Sequence, residues 1–291
     1  LCENLGIDAH FVLMNRPCYV ALAAKILGLK GRMVISERSC PSVIYKSGLS
    51  GFANRIFVKA LYPRADLILA NAQGNADDLV RNFGCDAAKT KVLYNAVDLA
   101  AIKTLANEPL EGKFKPFFLN IGRLDSGKNQ AMLIKIIANL KDKRATLGIL
   151  GKGPLHGELQ NLIDELGVGE RVKLLGTDKN PFKFIKNAQC FLCASRFEGF
   201  SNVLLEALAC ERFIISTDHK SGARELLGDD EYGILTPVDD KKAMEAAMRR
   251  ALEDEDLRQD YEKKAYGRVA KFDKNAVAAQ LIGYLEGENG E

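Results

Sequence analysis

The chain has 291 residues, of which 47% are hydrophobic and 27% are charged, and its formal net charge is +3. Such a chain can bury substantial cores, so disordered and fibrous proteins are excluded. Two globular domains are the natural division of this length. The small net charge gives no reason to expect nucleic acid as a partner.

The first hundred residues alternate between short apolar runs and amphipathic stretches. They predict strands at residues 10–15, 33–36, 65–70 and 91–96, with helices at 19–27, 52–61 and 75–83 between them. Strands that alternate with helices form a parallel sheet covered on both faces. We therefore expect an α/β domain over residues 1–102.

The same alternation resumes after residues 98–115, a weakly patterned stretch that we expect to be a linker. Strands are predicted at 117–121, 145–150, 171–175, 189–194 and 213–216, and helices at 132–140, 155–166, 203–210, 241–252, 257–269 and 275–285. This pattern predicts a second α/β domain over residues 103–275, followed by a terminal helix within 276–291.

Two carboxylates follow the predicted strand at 189–194. Glu198 comes ahead of a predicted helix, and Glu206 lies inside it. Gly199 lets a ligand approach the backbone, Ser201 and Asn202 are helix-capping types, and free amides at a helix start bind anions. Amides for phosphate oxygens and carboxylates for sugar and ribose hydroxyls would form a sugar-nucleotide site. Taken alone, Glu206 also fits a solvated helix position.

Two cations occupy the loop after the strand at 117–121. Arg123 and Lys128 suit a diphosphate, and the carboxyl ends of neighbouring strands face one crevice. The spacing from Gly122 to Lys128 also matches a P-loop. Asn129 stands where that motif needs a magnesium-binding Ser or Thr, so a nucleoside triphosphatase is disfavoured.

A third loop, from Gly151 to Gly157, follows the strand at 145–150. It is close to the dinucleotide fingerprint G-x-G-x-x-G, but the last glycine is one place late, which is weak support for a dehydrogenase. Gly151 and Gly153 equally allow close approach to a base or a ribose. Further on, residues 218–222 either border this site or begin an ordinary capped helix.

Cysteine and histidine usage gives no sign of a metal centre. Cys190 and Cys193 have C-x-x-C spacing, but residues three apart on a strand point to opposite faces. Reduced, buried thiols in the cytoplasm are expected, and no structural metal is expected. No apolar run reaches the roughly 18 to 20 residues of a membrane-spanning helix, and no secretory leader is visible.

Three motifs occur together, in order, between residues 113 and 239: a GR-x4-K loop, a G-x-G-P turn and an E-x7-E segment. With them the chain resembles the retaining glycosyltransferases of family 4, which have the GT-B fold. Residues 35–43, 71–75, 180–184, 197–204 and 217–226 narrow the resemblance. They are similar to the N-acetylgalactosaminyltransferases of bacterial protein N-glycosylation that extend GalNAc-bacillosamine on undecaprenyl diphosphate.

The resemblance implies two Rossmann-like domains facing a central cleft, with the terminal helix crossing back towards the first. That first domain is expected to be incomplete, because the chain begins at Leu1 and lacks a glycine-rich amino-terminal loop of the family. The implied activity is that of a hexosyltransferase, which moves GalNAc with retention from UDP-GalNAc to an undecaprenyl-diphosphate-linked glycan.

The resemblance also assigns residues to the donor. Arg123, Lys128 and Glu198 are the expected catalytic residues, with the cations replacing a metal, so that no cofactor is expected. The expected donor-binding residues are Gly122, Gly151, Gly153, Gly199, Phe200, Ser201, Asn202, Val203 and Glu206. A transferase for UDP-glucose, UDP-GlcNAc or GDP-mannose, and a non-catalytic sugar-nucleotide-binding module, stay open as alternatives.

For the acceptor, this chain departs from the family pattern. Many relatives carry a histidine after the strand at 33–36, where this chain has Glu37 and Arg38. These two, with Lys46 and Asn71, are candidate acceptor contacts, and Glu37 and Arg38 equally fit an internal pair.

Basic residues are concentrated between residues 16 and 64. That stretch holds nine basic residues and one acid, which gives +8. We expect it to bind anionic lipid, as a peripheral enzyme on the inner face of the bacterial inner membrane, with a solvated basic face as the alternative.

Overall fold

The computed structural model describes residues 8–112 and 114–286, which form two compact units. The first unit holds the described residues up to Asn95, the segment Glu198–Phe200 and the described residues from 280 to 286. The second holds Ala96–Phe197 and Ser201–Ala279. The domain limits predicted from sequence stay predictions, and residues 287–291 of the expected terminal helix lie outside the described residues.

The first unit contains four parallel strands in chain order. Its elements are β1 (Ala9–Leu13), α1 (Asn15–Ile26), β2 (Arg32–Glu37), α2 (Pro41–Ile44), α3 (Gly48–Leu61), β3 (Leu67–Ala70), α4 (Gln73–Phe83) and β4 (Thr90–Val92). The two central strands are buried almost throughout, as expected for apolar strands covered on both faces. Tyr62 and Phe83 are among the largest fully buried side chains of this core.

The second unit contains six parallel strands in the order β10-β9-β8-β5-β6-β7. Its elements are α5 (Leu99–Ala106), β5 (Phe118–Ile121), α6 (Gln130–Asn139), β6 (Leu147–Leu150), α7 (His156–Glu165), β7 (Val172–Leu174), α8 (Phe182–Asn187), β8 (Cys190–Cys193), α9 (Asn202–Ala209), β9 (Phe213–Thr217), α10 (Ala223–Leu227), β10 (Ile234–Thr236), α11 (Lys241–Glu253) and α12 (Glu255–Val269). A final helix, α13 (Lys274–Glu286), has residues in both units.

The order of the second sheet reverses beside β5. The chain adds β6 and β7 on one side of β5 and then returns to place β8, β9 and β10 on the other. The predicted α/β class, with parallel sheets in both halves, is therefore confirmed. The core of this unit packs α6, through Leu133, Ile136 and Ile137, with residues of β5, β6 and β8.

The expected linker at residues 98–115 is wrong for its first half, because α5 forms there. The Asp98 side chain accepts a hydrogen bond from the Ala101 amide at 3.0 Å and so caps the helix, while Ile102 and Ala106 are buried. Asn180 donates to the Leu105 carbonyl at 2.8 Å. A helix of only two turns leaves a weak periodic signal in the sequence, which is why it was missed.

The cysteines of the described residues are buried, free thiols. Cys190 and Cys193 lie on β8, and burial raises the pKa of the Cys190 thiol well above its usual range. Burial also raises the pKa of Cys85 and Cys210 to about 12. These thiols therefore stay protonated at neutral pH. Within residues 8–112 and 114–286, no helix is both long and apolar enough to cross a membrane.

Candidate active site

The loops that follow β5 and β8 leave neighbouring strands at the point where the second sheet reverses. β5 pairs with β8, Phe118 lying opposite Cys190. In open α/β sheets, ligands bind outside the carboxyl ends of the strands at such a reversal. The two loops contact each other, since the Arg196 amide donates to the Gly127 carbonyl at 2.8 Å. The sheet therefore brings the loop of Arg123 and Lys128 into contact with the loop after β8 at Arg196.

The Arg123–Lys128 loop is organised by one carboxylate. An oxygen of Asp125 accepts hydrogen bonds from the amides of Gly127 at 3.0 Å and Lys128 at 3.1 Å. The other oxygen lies 3.5 Å from Nε of Arg123, whose side chain is 71% exposed. The side chain of Lys128 runs over Gly122, where an added Cβ would lie 3.4 Å from the lysine Cδ. One loop thus presents an exposed guanidinium and a half-buried amine.

A cavity of about 680 Å³ opens at the carboxyl ends of β5, β6 and β7. Four predicted donor residues line it: Gly122, Arg123, Gly151 and Gly153. Lys128 and the residues of the E-x7-E segment are not among its lining residues. Thr177, Asp178 and Pro181 also line the cavity, and the sequence did not single them out as site residues. For Thr177 and Asp178 the only signal was their position after a predicted strand of the same sheet, whereas Pro181 lies in the stretch 180–184 that supports the family resemblance.

Gly151 and Gly153 make room for backbone rather than for side chains. A Cβ on Gly151 would lie 1.9 Å from the Gly122 carbonyl oxygen, and a Cβ on Gly153 would lie 2.3 Å from that of Leu124. The Leu124 amide donates to the Lys152 carbonyl at 3.1 Å, so the loops after β5 and β6 are joined directly. The sequence explained these glycines by ligand approach, whereas the structure gives them this internal reason.

The start of α9 differs from the predicted cap. Ser201 is the residue before the helix, but its side chain makes no capping hydrogen bond, and Asn202 is the first helical residue. The Ser201 hydroxyl oxygen is buried and has no partner among the described residues. Val203 is half-buried in the first turn. This helix start therefore carries a buried, unused hydrogen-bonding group beside its amides.

Glu206 is half-buried on the second turn of α9. Burial raises the pKa of its carboxyl group to about 7, and no ion pair with another described residue offsets the loss of hydration. A solvated helix position, the alternative considered from the sequence, would not shift the pKa in this way. The carboxylate is therefore costly in the ligand-free protein and would be stabilised by hydrogen-bond donors of a ligand.

The short segment Glu198–Phe200 is held by contacts within the first unit. Nδ2 of Asn75 donates to the Gly199 carbonyl at 3.0 Å, and a Cβ on Gly199 would lie 2.3 Å from the Arg38 carbonyl oxygen. The ring of Phe200 lies 5.5 Å from that of Tyr94, centroid to centroid. Glycine is therefore required at position 199 by close packing. Glu198 itself is half-buried.

Glu37, a candidate acceptor contact, is committed to internal hydrogen bonds. Its carboxylate accepts from the Ser39 amide at 3.0 Å, the Ser39 hydroxyl at 2.6 Å and the Tyr62 hydroxyl at 2.8 Å. The side chain is buried, and burial raises the pKa of its carboxyl group. Of the two roles considered for Glu37, its contacts support internal pairing, although with Ser39 and Tyr62 rather than with Arg38.

The other three acceptor candidates lie in different surroundings. The Arg38 guanidinium is half-buried and donates to Oδ1 of Asn95, and burial lowers the pKa of Arg38. Asn71 is buried, donates to the Arg38 carbonyl at 3.2 Å and accepts from Asn75 at 2.6 Å. Lys46 is exposed on the loop between α2 and α3. Arg38 and Lys46 are the two with a charge near the surface.

The loop of residues 218–222 lines a different cavity, of about 530 Å³, together with Arg224. Asp218, the first residue of this loop, forms an ion pair with Arg224. The helix that follows begins at Ala223 with Gly222 as its N-cap, so the predicted start at Ser221 is two residues early. This loop does not border the 680 Å³ cavity.

Two family models match the chain, one after the other. The model described as "Glycosyltransferase Family 4" matches residues 6–101, and the model described as "Glycosyl transferases group 1" matches residues 102–268. The second alone covers more than half of the chain. The chain is a family 4 glycosyltransferase.

Relatives of this glycosyltransferase include two enzymes of Campylobacter jejuni. The chain is 49% identical, over 99% of its length and 78% of the relative, to N-acetylgalactosamine-N,N'-diacetylbacillosaminyl-diphospho-undecaprenol 4-alpha-N-acetylgalactosaminyltransferase. It is 29% identical, over 94% of its length and 73% of the relative, to the alpha-1,4-N-acetyl-D-galactosaminyltransferase acting on GalNAc-alpha-(1->4)-GalNAc-alpha-(1->3)-diNAcBac-PP-undecaprenol. The resemblance inferred from the motifs is thereby confirmed.

Solved structures show that the glycosyltransferase has the GT-B fold. It superposes on Anabaena HepE, crystallised in complex with UDP, with a TM-score of 0.83 and 21% identity over 96% of this chain and 78% of that one. Sucrose-phosphate synthase of Thermosynechococcus elongatus gives a TM-score of 0.83 with 20% identity, over 98% of this chain and 74% of that one. At these identities the likeness concerns the fold alone.

The part of the glycosyltransferase that the structure describes holds no group of three or more His, Cys, Asp or Glu side chains placed to bind a metal ion. The carboxylates singled out in the sequence, Glu198 and Glu206, are therefore not joined by further acidic or histidine ligands in that part of the chain. The donor roles predicted for individual residues stay predictions.

Proposed function

We propose that this glycosyltransferase moves GalNAc from UDP-GalNAc to a hydroxyl of an undecaprenyl-diphosphate-linked glycan, with retention of anomeric configuration. The assignment of the donor sugar and of the acceptor rests on the 49% identity, over nearly the whole chain, to the Campylobacter enzyme named for this transfer. The product would serve the assembly of a lipid-linked oligosaccharide for protein N-glycosylation.

The second unit supports the donor half of the proposal. A nucleoside fits a cavity of about 680 Å³, a volume within the usual range for small-molecule sites. Arg123 stands at its wall, and Lys128 lies on the same loop. Guanidinium and ammonium groups both bind phosphate oxygens, the first with a planar fork and the second as a point charge. UDP has the matching chemistry, and structural neighbours have been crystallised with it.

The reaction places negative charge on the departing diphosphate as the glycosidic bond lengthens. Arg123 and Lys128 would stabilise that charge, together with the amides around Ser201 and Val203 at the start of α9. The unpartnered Ser201 hydroxyl supplies one more donor there. Fixed donors aimed at developing charge usually give the largest single contribution to catalysis. We therefore propose that no metal ion is needed.

Two carboxylates take the hydroxyl groups of the donor in this proposal. Glu206 would accept hydrogen bonds from the ribose, because burial raises the pKa of its carboxyl group and hydrogen-bond donors of a ligand would offset that loss of hydration. Glu198 would bind the hydroxyls of the transferred sugar. Arg38 and Lys46 are proposed to attract the acceptor diphosphate. Asn71 would hold the Arg38 backbone in place, because its Nδ2 donates to the Arg38 carbonyl.

One experiment tests the substrate pair. The purified enzyme is incubated with radiolabelled UDP-GalNAc, UDP-GlcNAc, UDP-glucose or GDP-mannose and with polyprenyl-diphosphate acceptors that end in GalNAc or in bacillosamine. Product from UDP-GalNAc and the GalNAc-terminated acceptor is expected. Transfer only from another nucleotide sugar would overturn the sugar assignment, and no transfer from any donor would favour a non-catalytic binding module.

A different donor has one observation in its favour. The chain is also 30% identical, over 73% of its length, to the phosphatidyl-myo-inositol mannosyltransferase of Mycolicibacterium smegmatis. That relative matches over 56% of its own length, less than the Campylobacter enzymes. A mannosyl donor is therefore the second candidate in the panel.

We also propose that α3 lies against an anionic membrane surface. Leu49 is 92% exposed, Phe52 67% and Ile56 52%, and their spacing places them on one face of the helix. Exposed cations, Lys46 and Lys59, flank this apolar stripe. A basic amphipathic helix of this kind binds in the interface of anionic bilayers.

Vesicle sedimentation at low salt tests the α3 surface. The enzyme is expected to bind vesicles that contain phosphatidylglycerol, and the double variant Leu49→Ser with Phe52→Ser is expected to lose most of this binding. Leu27→Ser is the matched control, because Leu27 is 88% exposed on the segment after α1. Equal loss in the control, or no binding by the unmodified enzyme, would refute the assignment.

A further inference from the structure

Three polar side chains from three loops of the second unit meet at Asn129, the residue that follows Lys128. Nε of Arg196, after β8, donates to both carboxylate oxygens of Asp239, after β10, at 2.8 and 3.1 Å. Nδ2 of Asn129, the residue next to Lys128, donates to the same carboxylate at 3.0 Å. We call Arg196, Asp239 and Asn129 the polar clamp. It joins the loop that carries Lys128 to the loops that follow β8 and β10.

Arg196 also holds the backbone of the Lys128 loop. Its amide donates to the Gly127 carbonyl at 2.8 Å, and its Nη1 donates to the Ser126 carbonyl at 2.6 Å. Two successive peptide groups just before Lys128 are thus fixed by one arginine. A lysine at position 196 has no planar fork, so it cannot bind a carbonyl and a carboxylate in this way at once.

The backbone at two clamp residues is itself unusual. Asn129 and Asp239 have left-handed conformations, with φ of 54° and 61°. Residues with a Cβ adopt this region rarely, and glycine adopts it without cost. The conformation of Asn129 sets the direction in which the chain leaves Lys128 and enters α6. Side chains that pair in these strained positions hold the loop in one shape.

The fold gains little from the clamp as an ion pair. The side chains of Arg196 and Asp239 are 42% and 52% exposed, and ion pairs at such sites contribute little to the free energy of unfolding. A pair of this kind can therefore be removed without loss of the fold. Its contacts are directed at one feature, the loop of Lys128.

We propose that Arg196 and Asp239 are positioning residues, which hold Lys128 where it binds the diphosphate of the donor. This inference rests on the proposed function. A misplacement of about 1 Å at a reacting centre costs about 100-fold in rate, so loosening the loop should reduce turnover strongly. It should also weaken the binding of diphosphates without affecting the nucleoside part of the ligand.

Asp239→Gly is the most informative variant. Glycine relieves the left-handed backbone at this position, so the midpoint of thermal unfolding should not fall, while all three hydrogen bonds to the carboxylate are lost. We expect kcat to fall about 10-fold to 100-fold. We expect the affinity for UDP to fall while that for uridine, measured by calorimetry, stays the same. Asp239→Asn keeps an oxygen acceptor and should recover part of the activity.

Asp229→Gly is the matched control. Asp229 is also left-handed, with φ of 51°, and pairs with an arginine, Arg224, but it has no hydrogen bond to the Lys128 loop. This variant should keep the unmodified kcat and UDP affinity. If both aspartate variants lost activity equally, or if UDP and uridine affinity fell together in Asp239→Gly, the clamp would be a structural feature only.

Lys128→Ala separates this inference from the proposed function. If Lys128→Ala weakens UDP binding and Asp239→Gly does not, the clamp is refuted and the donor site stands. If Lys128→Ala binds UDP as well as the unmodified enzyme, then Lys128 does not hold the diphosphate, and both proposals for this loop are wrong.

Discussion

Glu206 links donor binding to pH, and this linkage can be measured. Burial raises the pKa of its carboxyl group to about 7 in the ligand-free enzyme. Two ribose hydroxyls that donate to the carboxylate would favour its charged form. Donor binding should then lower the pKa of Glu206 towards the ordinary value of a glutamate and release a proton near neutral pH.

The size of the effect follows from the shifted pKa. With a pKa of about 7, the carboxylate is present in about one molecule in eleven at pH 6, half at pH 7 and about ten in eleven at pH 8. If only the carboxylate form binds, the affinity rises about tenfold between pH 6 and pH 8. About half a proton is released for each donor bound at pH 7.

Calorimetry with UDP-GalNAc in the absence of acceptor measures both quantities. A nucleotide sugar is preferable to UDP, because its diphosphate is esterified at both ends and does not titrate in this range. Titrations in two buffers of different ionisation enthalpy give the proton release. The control is Glu206→Gln, which should bind the donor weakly and with the same affinity from pH 6 to pH 8.

Two results would refute this reasoning. One is an affinity of the unmodified enzyme that does not change between pH 6 and pH 8. The other is a rise with pH that persists in Glu206→Gln, since the titrating group would then lie elsewhere.

Four further outcomes are expected. The folded-state pKa of Glu206 lies above the unfolded value, so its favourable contribution to stability at acidic pH is lost as the pH rises from about 4.5 to 7. Thermal unfolding should therefore show that Glu206→Gln stabilises the protein more at pH 8 than at pH 5. Gly153→Ala should lower the free energy of unfolding, measured in urea, by about 2–3 kcal/mol, because its methyl group would overlap the Leu124 carbonyl. Gly157→Ala on α7 is the control: it has open space around it and should not lower the free energy of unfolding. Lys128→Ala should lower kcat by about 100-fold with a smaller change in KM for the donor, and an equal, mild loss in both would point to a structural role. Saturating EDTA should leave the initial rate unchanged, and activity restored only by added magnesium or manganese would contradict metal independence.

Much of the fold could be predicted because buried strands of parallel sheets read as short apolar runs. Residues 67–70 and 147–150, which form β3 and β6, are such runs and are fully buried. The reversal of strand order beside β5 is different, since it depends on long-range pairing that no local pattern records. Helix α5 was missed because only Ile102 and Ala106 of its two turns are buried.

The candidate site was predicted in part. Charged and glycine residues that follow strands stand out in a sequence, so the loops after β5, β6 and β8 were found. Thr177 and Asp178 were not, because they carry no motif and β7 before them has only three residues. The packing of Gly153 on Leu124, and the hydrogen bond from Tyr62 to Glu37, are contacts between residues far apart in the chain. A single sequence does not encode such partners visibly.

The seam of glycines between the loops after β5 and β6 limits how this family member can acquire a new ligand preference. Where Gly122, Gly151 and Gly153 line the cavity, the wall offers peptide atoms only, and a side chain at position 151 or 153 would collide with the neighbouring loop. A change in ligand preference is therefore expected to require substitution of other lining side chains, above all Arg123, Thr177 and Asp178.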